Sequence, residues 1–353
     1  MDLVTLFNQA RSHYKSERPF VIFKKPNSEH VQAYFQLSNA NHVVDKDTNE
    51  GFVFADFLGD RQWIILKNDA DYYSVLMEEN IASWTAKPLT EKTTNQEKEA
   101  HIDLVRSAVH TIDATATEKI VLSRCEHLAL RDFSIEASFR FMSHHYKNAM
   151  CYVWFHPKTG LWLGATPEIL LSIHQRELTT MSLAGTQLFS NKKVVHWGSK
   201  ERTEQQYVTD YIAQILGAEL GALAVSEPYT IQAGSLVHLR TDLKATVKDN
   251  TDVLSLVQRL HPTPAVCGIP KEEALNFIVA NEGYDREFYT GYLGELKGFT
   301  NCDLYVNLRC VKIDDSKASI FVGGGITSDS NPEDEWFETV EKSKVIKKAF
   351  AVG

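Results

Sequence analysis

Residues 323–342 read GGGITSDSNPEDEWFETVEK and follow the apolar run Ala318–Val322. The apolar run predicts a strand, the three glycines a turn, and the remainder a helix. Asn331 suits the N-cap and Pro332 the first helical position. Glu333, Asp334 and Glu335 crowd the first turn, where the helix dipole favours negative charge. At about 100° per residue, Glu335, Glu338 and Lys342 fall within roughly 60° of one another, and Val345 and Ile346 lie on or beside that arc. A face that is carboxylate-lined at one end and apolar at the other points to a cleft rather than open water.

The arrangement recurs upstream. A long helix is predicted over residues 199–220, and there Glu201 and Glu204 share a stripe with Val208, Tyr211, Ile212 and Ile215. One ExxE is weak evidence, because glutamates favour helix starts. Two of them, each aligned with an apolar stripe, point to a shared acidic site. Carboxylates gathered in a poorly solvated cleft repel one another unless a cation joins them. Hard oxygen donors without His or Cys point to Mg2+. The competing reading is that each ExxE forms ordinary surface pairs with Lys200, Arg202 or Lys342.

The chain has 353 residues, enough for one large two-layer domain or for two domains. Hydrophobic residues make up 43% and charged residues 24%, the balance of a globular chain. A net charge of −9 argues against nucleic acid or an anionic membrane as partner, while leaving room for a small anionic substrate in a locally cationic pocket. Five cysteines, odd in number and without CxxC spacing, argue against a disulfide framework or a zinc site and fit a reducing cytoplasm. The opening sequence MDLVTLFNQARSHYKSERP lacks the apolar core of a signal peptide, and no apolar run approaches the roughly 20 residues of a membrane span.

Along the chain, a helix is expected over residues 3–15. Strands follow at Phe20–Phe23, Val31–Leu37, Gly51–Phe57 and Trp63–Leu66, spaced as in one antiparallel meander. A charged amphipathic helix over 91–113 carries Ile102, Val105, Val109 and Ile112, and its polar start, EKTTNQEKE (91–99), marks a seam between a variable front part and the functional part. The next strand, from Lys119, puts Ile120 and Leu122 on one face and Lys119, Val121 and Ser123 on the other. A lysine there is ordinarily a solvated strand end. A helix over 134–146 leads into CYVWFHPKTGLWLGATPEILLSI, two apolar strands with a turn between them. Glu168 enters the following apolar run; buried, its pKa would rise and make it a candidate general acid, whereas at an exposed strand edge it would be unremarked. Further strands are expected at 177–186, 235–247 and 302–313, and helices at 253–260 and 271–281. In LYVNLRCVKI, alternation puts Tyr305, Asn307 and Arg309 on one face. Arg309 is then either a bidentate clamp on a carboxylate or phosphate, with Tyr289 in support, or a solvent-facing side chain. No complete GxGxxG, Walker loop, HExxH or GxSxG is present.

KIVLSR, GATPEILL, LAGT, KERTEQ, HPTPAVCGIP, REFYTGYLG, LYVNLR and GGGIT with PEDEWFETVEK, in that order and spacing, resemble the chorismate-utilising enzymes. That family includes isochorismate, salicylate, anthranilate and aminodeoxychorismate synthases. The likeness runs from Lys119 to Lys342. It implies an α+β fold in one chorismate-binding domain over 1–353: two packed, mostly antiparallel sheets flanked by helices, with a variable front part (1–115) and a motif-bearing part (116–350). It implies Mg2+ held by Glu204 and Glu338, with Glu201 and Glu335 assisting through water. Arg309 and Tyr289 would hold the enolpyruvyl carboxylate of chorismate. Gly323, Gly324, Thr186 and Lys342 would complete the anion cradle, with His261 near the ring. Lys119 occupies the position of the water-activating base, and Glu168 that of the general acid. Ala184 stands where aminodeoxychorismate synthases carry a nucleophilic lysine. Together these favour water addition over amination, with isochorismate or, after pyruvate loss, salicylate as product. No obligatory protein partner is implied, and isochorismate would feed menaquinone or siderophore synthesis. Gln205 departs from the pattern, because many relatives have His after the metal-binding glutamate.

Overall fold

A computed structural model describes residues 2–45, 48, 50–77, 94–130, 133–188, 195–233, 236–248, 251–298, 301–314 and 316–350, with the backbone alone at 186, 188, 233, 236, 349 and 350. The apolar runs build two nine-stranded sheets. In spatial order the first holds Gly268–Ile269, Lys119–Ala129, Lys317–Ile326, Cys310–Asp314, Gly160–Thr166, Met150–His156, Phe20–Lys24, His30–Gln36 and Ala70–Leu76. The second holds Leu223–Val225, Leu236–Thr246, Glu177–Leu188, Ile169–His174, Cys302–Val306, Tyr292–Lys297, Glu50–Ala55 and Gln62–Leu66, with Tyr229–Ala233 also paired to Leu236–Thr246. All the pairings among these strands are antiparallel.

Among the described residues seven α-helices flank the sheets: α1 (Leu3–Lys15), α2 (Asn95–Ala114), α3 (Ile135–His145), α4 (Ser199–Leu220), α5 (Val253–Leu260), α6 (Lys271–Asn281) and α7 (Pro332–Phe350). Their starts follow the capping rules. Thr94 and Glu97 form a reciprocal capping box on α2. Asn331 Oδ1 accepts the amides of Glu333 (3.0 Å) and Asp334 (3.1 Å) at α7. Helices α1 and α3 cover the outer face of the first sheet, and α4 and α5 that of the second. Among the described residues, no helix is long and apolar enough to cross a membrane.

Between the sheets lies an aromatic core that includes Phe23, Tyr34, Phe52, Phe54, Tyr152, Trp154, Trp162 and Phe288. The strand Phe20–Lys24 is apolar on both faces because both are covered: Phe20 and Ile22 pack under α1, while Val21 and Phe23 face the second sheet.

Three expectations are corrected here. The four front strands do not form one meander. Phe20–Lys24 and His30–Gln36 make a hairpin in the first sheet, and Glu50–Ala55 and Gln62–Leu66 a hairpin in the second. The glycines at 323–325 are not a turn but part of the strand Lys317–Ile326, paired to Ser123, Leu122 and Val121. The run 302–313 is not one strand. It ends at Val306 in the second sheet and resumes at Cys310 in the first. Asn307 makes the crossing possible: its side chain accepts from the Tyr152 hydroxyl (2.6 Å) and donates to the Phe288 carbonyl (2.7 Å). The break cancels the simple alternation around Arg309, which takes a left-handed φ of 50°.

Phe54 is fully buried, stacked on Phe288 at 4.6 Å between ring centres and 5.1 Å from Trp154. Phe54→Ala is expected to lower the urea midpoint, equivalent to about 3–5 kcal/mol of lost stability. A loss below about 1 kcal/mol would mean that the front hairpins do not share the central core.

Candidate active site

The glycine strand is the floor of a cleft. A Cβ on Gly325 would lie 2.3 Å from Glu204 Oε1 and 2.9 Å from Lys119 Cε. One on Gly324 would lie 3.4 Å from Glu335 Oε2 and 3.6 Å from Glu338 Oε1. One on Gly323 would lie 3.2 Å from the Tyr289 hydroxyl. Bare backbone at these positions therefore lets side chains from α4, α7 and the neighbouring strand approach from above. The cleft encloses about 1070 Å³ including its open mouth, within reach of a small-molecule site.

Both ExxE helices deliver their acids here. Glu201, Glu204 and Glu338 line the cleft, and Glu335 is buried against its floor. Three lysines meet them. Lys119 Nζ lies 2.9 Å from Glu204 Oε1, Lys200 Nζ 2.5 Å from Glu335 Oε1, and Lys342 Nζ 2.7 Å from Glu338 Oε1. Lys342 also donates to the Gly323 carbonyl at 2.8 Å. Lys119, far from being a solvated strand end, is fully buried. Burial alone would raise the pKa of Glu204, but Lys119, Lys342 and Lys200 outweigh it and hold the carboxyl below its ordinary value. Glu335 goes the other way: burial and nearby Glu338 push its pKa up against the pull of Lys200.

Glu168 is buried where the chain passes from Thr166 to Ile169, its amide donating to Thr166 Oγ1 at 3.3 Å. Burial raises its pKa to about 7, although Lys119, Lys342 and Arg309 all act to lower it. It is therefore a carboxyl able to give up a proton near neutrality.

Arg309 enters the cleft from the sheet crossing. Its Nη2 donates to His238 Nε2 at 3.0 Å, which assigns the His238 Nδ1 hydrogen to the Gly185 carbonyl 3.1 Å away. Burial, with Arg309 and Lys342 nearby, lowers the His238 pKa to about 3, so the ring stays neutral and can accept. Gly185 has φ 69° at a bulge in Glu177–Leu188, which turns this carbonyl to the histidine. Tyr289 is buried beside the floor, its ring stacked on Phe321 at 5.4 Å.

The structure thus brings together Lys119, Glu168, Glu201, Glu204, Tyr289, Arg309, Gly323, Gly324, Glu335, Glu338 and Lys342. It does not bring His261 to the cleft. That ring is buried against the Phe57 carbonyl (3.0 Å) and Tyr292, while Ala265 and Val266 of the same loop form the wall. The expectation of His261 beside the ligand is corrected accordingly: the carbonyls of residues 56 and 57 hold it away. The side chain of Thr186 lies outside the described residues. Lys200 and His238 escaped the sequence reading. A histidine inside the apolar strand run LVHL was the available signal for the second, and the first lay beside the glutamates as an expected surface partner. Gln205, at the departure from the pattern, is buried with its amide nitrogen 2.7–2.9 Å from the hydroxyls of Ser182, Thr209 and Thr241, so its two hydrogens are used inside the helix–sheet contact rather than in the cleft.

Comparison with known proteins agrees with the geometry. A family model described as chorismate binding enzyme matches residues 56–351. The salicylate biosynthesis isochorismate synthase of Pseudomonas aeruginosa is 30% identical over 256 residues, covering 70% of this chain and 54% of the relative. Isochorismate synthase DhbC of Bacillus subtilis is 30% identical over 252 residues, covering 66% of this chain and 63% of the relative. The chain therefore matches between about half and two thirds of these relatives' length. A crystal structure from Bacillus anthracis, described as a 2,3-dihydroxybenzoate-specific isochorismate synthase, DhbC, superposes with a TM-score of 0.80 at 25% identity, over 97% of this chain and 99% of that one. On its sequence, its α+β fold of two antiparallel sheets and its match over residues 56–351, the chain belongs to the family of chorismate binding enzymes.

Proposed function

We propose that this chain is an isochorismate synthase, a Mg2+-dependent enzyme that converts chorismate reversibly to isochorismate. One observation carries the reading: a buried lysine, Lys119, paired with the cleft-lining Glu204, and a buried carboxyl with a pKa near 7, Glu168, meet at one cleft whose other groups suit an anionic ligand.

Lys119 takes a proton from water as its oxygen bonds to ring C2. The C1–C2 electron pair moves to C1–C6 and the C5–C6 pair to C4–C5. The C4–O bond breaks, and Glu168 gives its proton to the departing hydroxyl, which leaves as water. One water enters and one leaves, so the reaction is an isomerisation. Lys119 ends as the ammonium and Glu168 as the carboxylate, and proton return through solvent restores both. Arg309, held by His238, and Tyr289 bind the enolpyruvyl carboxylate; Lys342 and the amides of Gly323 and Gly324 complete the cradle. Ala184, small and without an amine, leaves room for water as the nucleophile.

The donor set fits Mg2+. Glu201, Glu204, Glu335 and Glu338 supply only hard oxygens, and Mg2+ needs one or two carboxylates and completes its shell with water. Among the described residues no group of three or more acidic, His or Cys side chains is placed to hold a metal ion. Glu204 and Glu338 would bind the ion and Glu201 and Glu335 its waters. Bound there, it would neutralise the ring carboxylate of the substrate.

Incubation with chorismate and Mg2+, followed by chromatography, should yield isochorismate; accumulation of salicylate instead would replace the product assignment. Lys119→Ala and Glu168→Gln are each expected to reduce turnover by about 10²-fold or more, with unchanged circular dichroism; undiminished turnover by either removes that residue from the mechanism. Glu168 must enter the reaction protonated, so the rate limb that it controls should fall as pH rises through about 7. Excess chelator should abolish turnover and added Mg2+ restore it, whereas chelator-resistant turnover would contradict the metal role.

A further inference from the structure

The strand Lys119–Ala129 has Lys317–Ile326 on one side, but on the other, among the described residues, only the two-residue strand Gly268–Ile269, paired to Ile120 and Lys119. The ladder runs from the Glu118 amide on Ile269 O (2.8 Å) to the Val121 amide on Cys267 O (2.7 Å). The next main-chain groups on that edge are the Val121 carbonyl and the Ser123 amide. Side chains meet them. Arg286 Nη2 donates to Val121 O at 2.7 Å, and the Ser123 amide donates to Glu282 Oε1 at 2.7 Å. The two side chains are joined: Arg286 Nε donates to Glu282 Oε2 at 2.7 Å and Nη2 lies 2.5 Å from Oε1, with both side chains 1% exposed. Arg286 Nη1 also donates to Val266 O at 2.9 Å, on the loop that walls the cleft. The guanidinium lies 4.4 Å over the Phe57 ring.

We infer that the Glu282–Arg286 pair is a positioning device for the reaction proposed above, a stand-in for the missing edge strand that fixes Lys119 and the Val266 wall relative to the glycine floor. Val121 lies two residues from Lys119 and pairs with Gly325; Ser123 pairs with Gly323. One fork of donors therefore clamps the strand that carries the base and the loop that closes the cleft. Neither Glu282 nor Arg286 is among the residues that line the cleft, and both side chains are spent on each other and on main-chain groups. A planar fork can hold two carbonyls and a carboxylate together, and an ammonium cannot reproduce that geometry. Arg309 and Lys342, which hold the ligand's anions, sit on other elements, Arg309 at the crossing between the sheets and Lys342 on α7.

The inference rests on the proposed function, and the test separates the two. Arg286→Lys keeps the charge but loses the fork. The double variant Glu282→Gln with Arg286→Gln removes both charges, so no lone buried ion is left. Steady-state kinetics with chorismate and Mg2+ should show kcat reduced roughly ten-fold or more in each, as expected for a misplaced catalytic group, with KM changed by less than about three-fold. Hydrogen exchange in the peptide over residues 119–127 should quicken while peptides of α4 stay protected. Variants that keep the wild-type kcat overturn the inference alone. Loss of kcat with KM raised in proportion, or loss that only tracks the unfolded fraction in a thermal melt, also overturns it by making the pair merely structural. A wild-type chain that leaves chorismate unchanged overturns the proposed function and the inference with it.

Discussion

An extended strand presents a side chain to each face at every second residue, and at Gly323–Gly325 this one presents none. Much of the cleft depends on that gap. A methyl group at Gly325 would occupy the space of the Glu204 carboxylate and crowd the end of Lys119, and one at Gly323 would crowd Ser123 and Tyr289. Because the floor is bare, α4 and α7 can lower their first turns onto it, and the strand beside it can send Lys119 up between them. The glycines act by what they leave out, in fully extended backbone, and not through a left-handed turn.

Charge within the cleft is set by neighbours rather than by residue type. Glu204 is half-buried and Glu168 buried, yet the first is held ionised by direct lysine contact while the second is pushed towards neutrality because burial outweighs more remote cations. Two carboxyls of one site are thereby prepared for opposite tasks, one to face a cation and one to hold a proton. His238 shows the same economy. Kept neutral by burial and by Arg309 itself, it can accept a hydrogen bond from that guanidinium without opposing its charge.

The helices were legible because their apolar spacing and caps are local. The boundaries of α1, α4, α5 and α6 fall on the predicted ranges, and the two ExxE stripes do face a common cleft. What could not be read was long-range. Nothing local in residues 302–313 distinguishes one strand from two, because the break comes from Asn307 satisfying Tyr152 and Phe288, far away in sequence. The front hairpins carry equally apolar strands, and only tertiary pairing divides them between sheets. The glycine run was misjudged because glycine ordinarily signals a turn; its reason for being in a strand lies in side chains that arrive from two helices. Lys119 and His261 are a matched pair of lessons. Position in a motif suggested the cleft for both, but backbone carbonyls at residues 56 and 57 retain the histidine.

The division of the front hairpins has a kinetic side. Phe20 pairs with Phe155, and Gly51 with Leu296, so early strands find their partners only after much of the chain exists. Neither sheet can close its central ladders during the first part of synthesis. Pairings of such sequence separation carry a large loop-closure cost before any contact rewards it. The front strands must therefore wait as one three-stranded piece, Phe20–Lys24 with His30–Gln36 and Ala70–Leu76, and one two-stranded piece, each with an open edge; the two-stranded one is marginal by itself in water. The aromatic core that later joins them is thus assembled late, from residues at both ends of the chain, and the cleft can take shape only once that assembly is done.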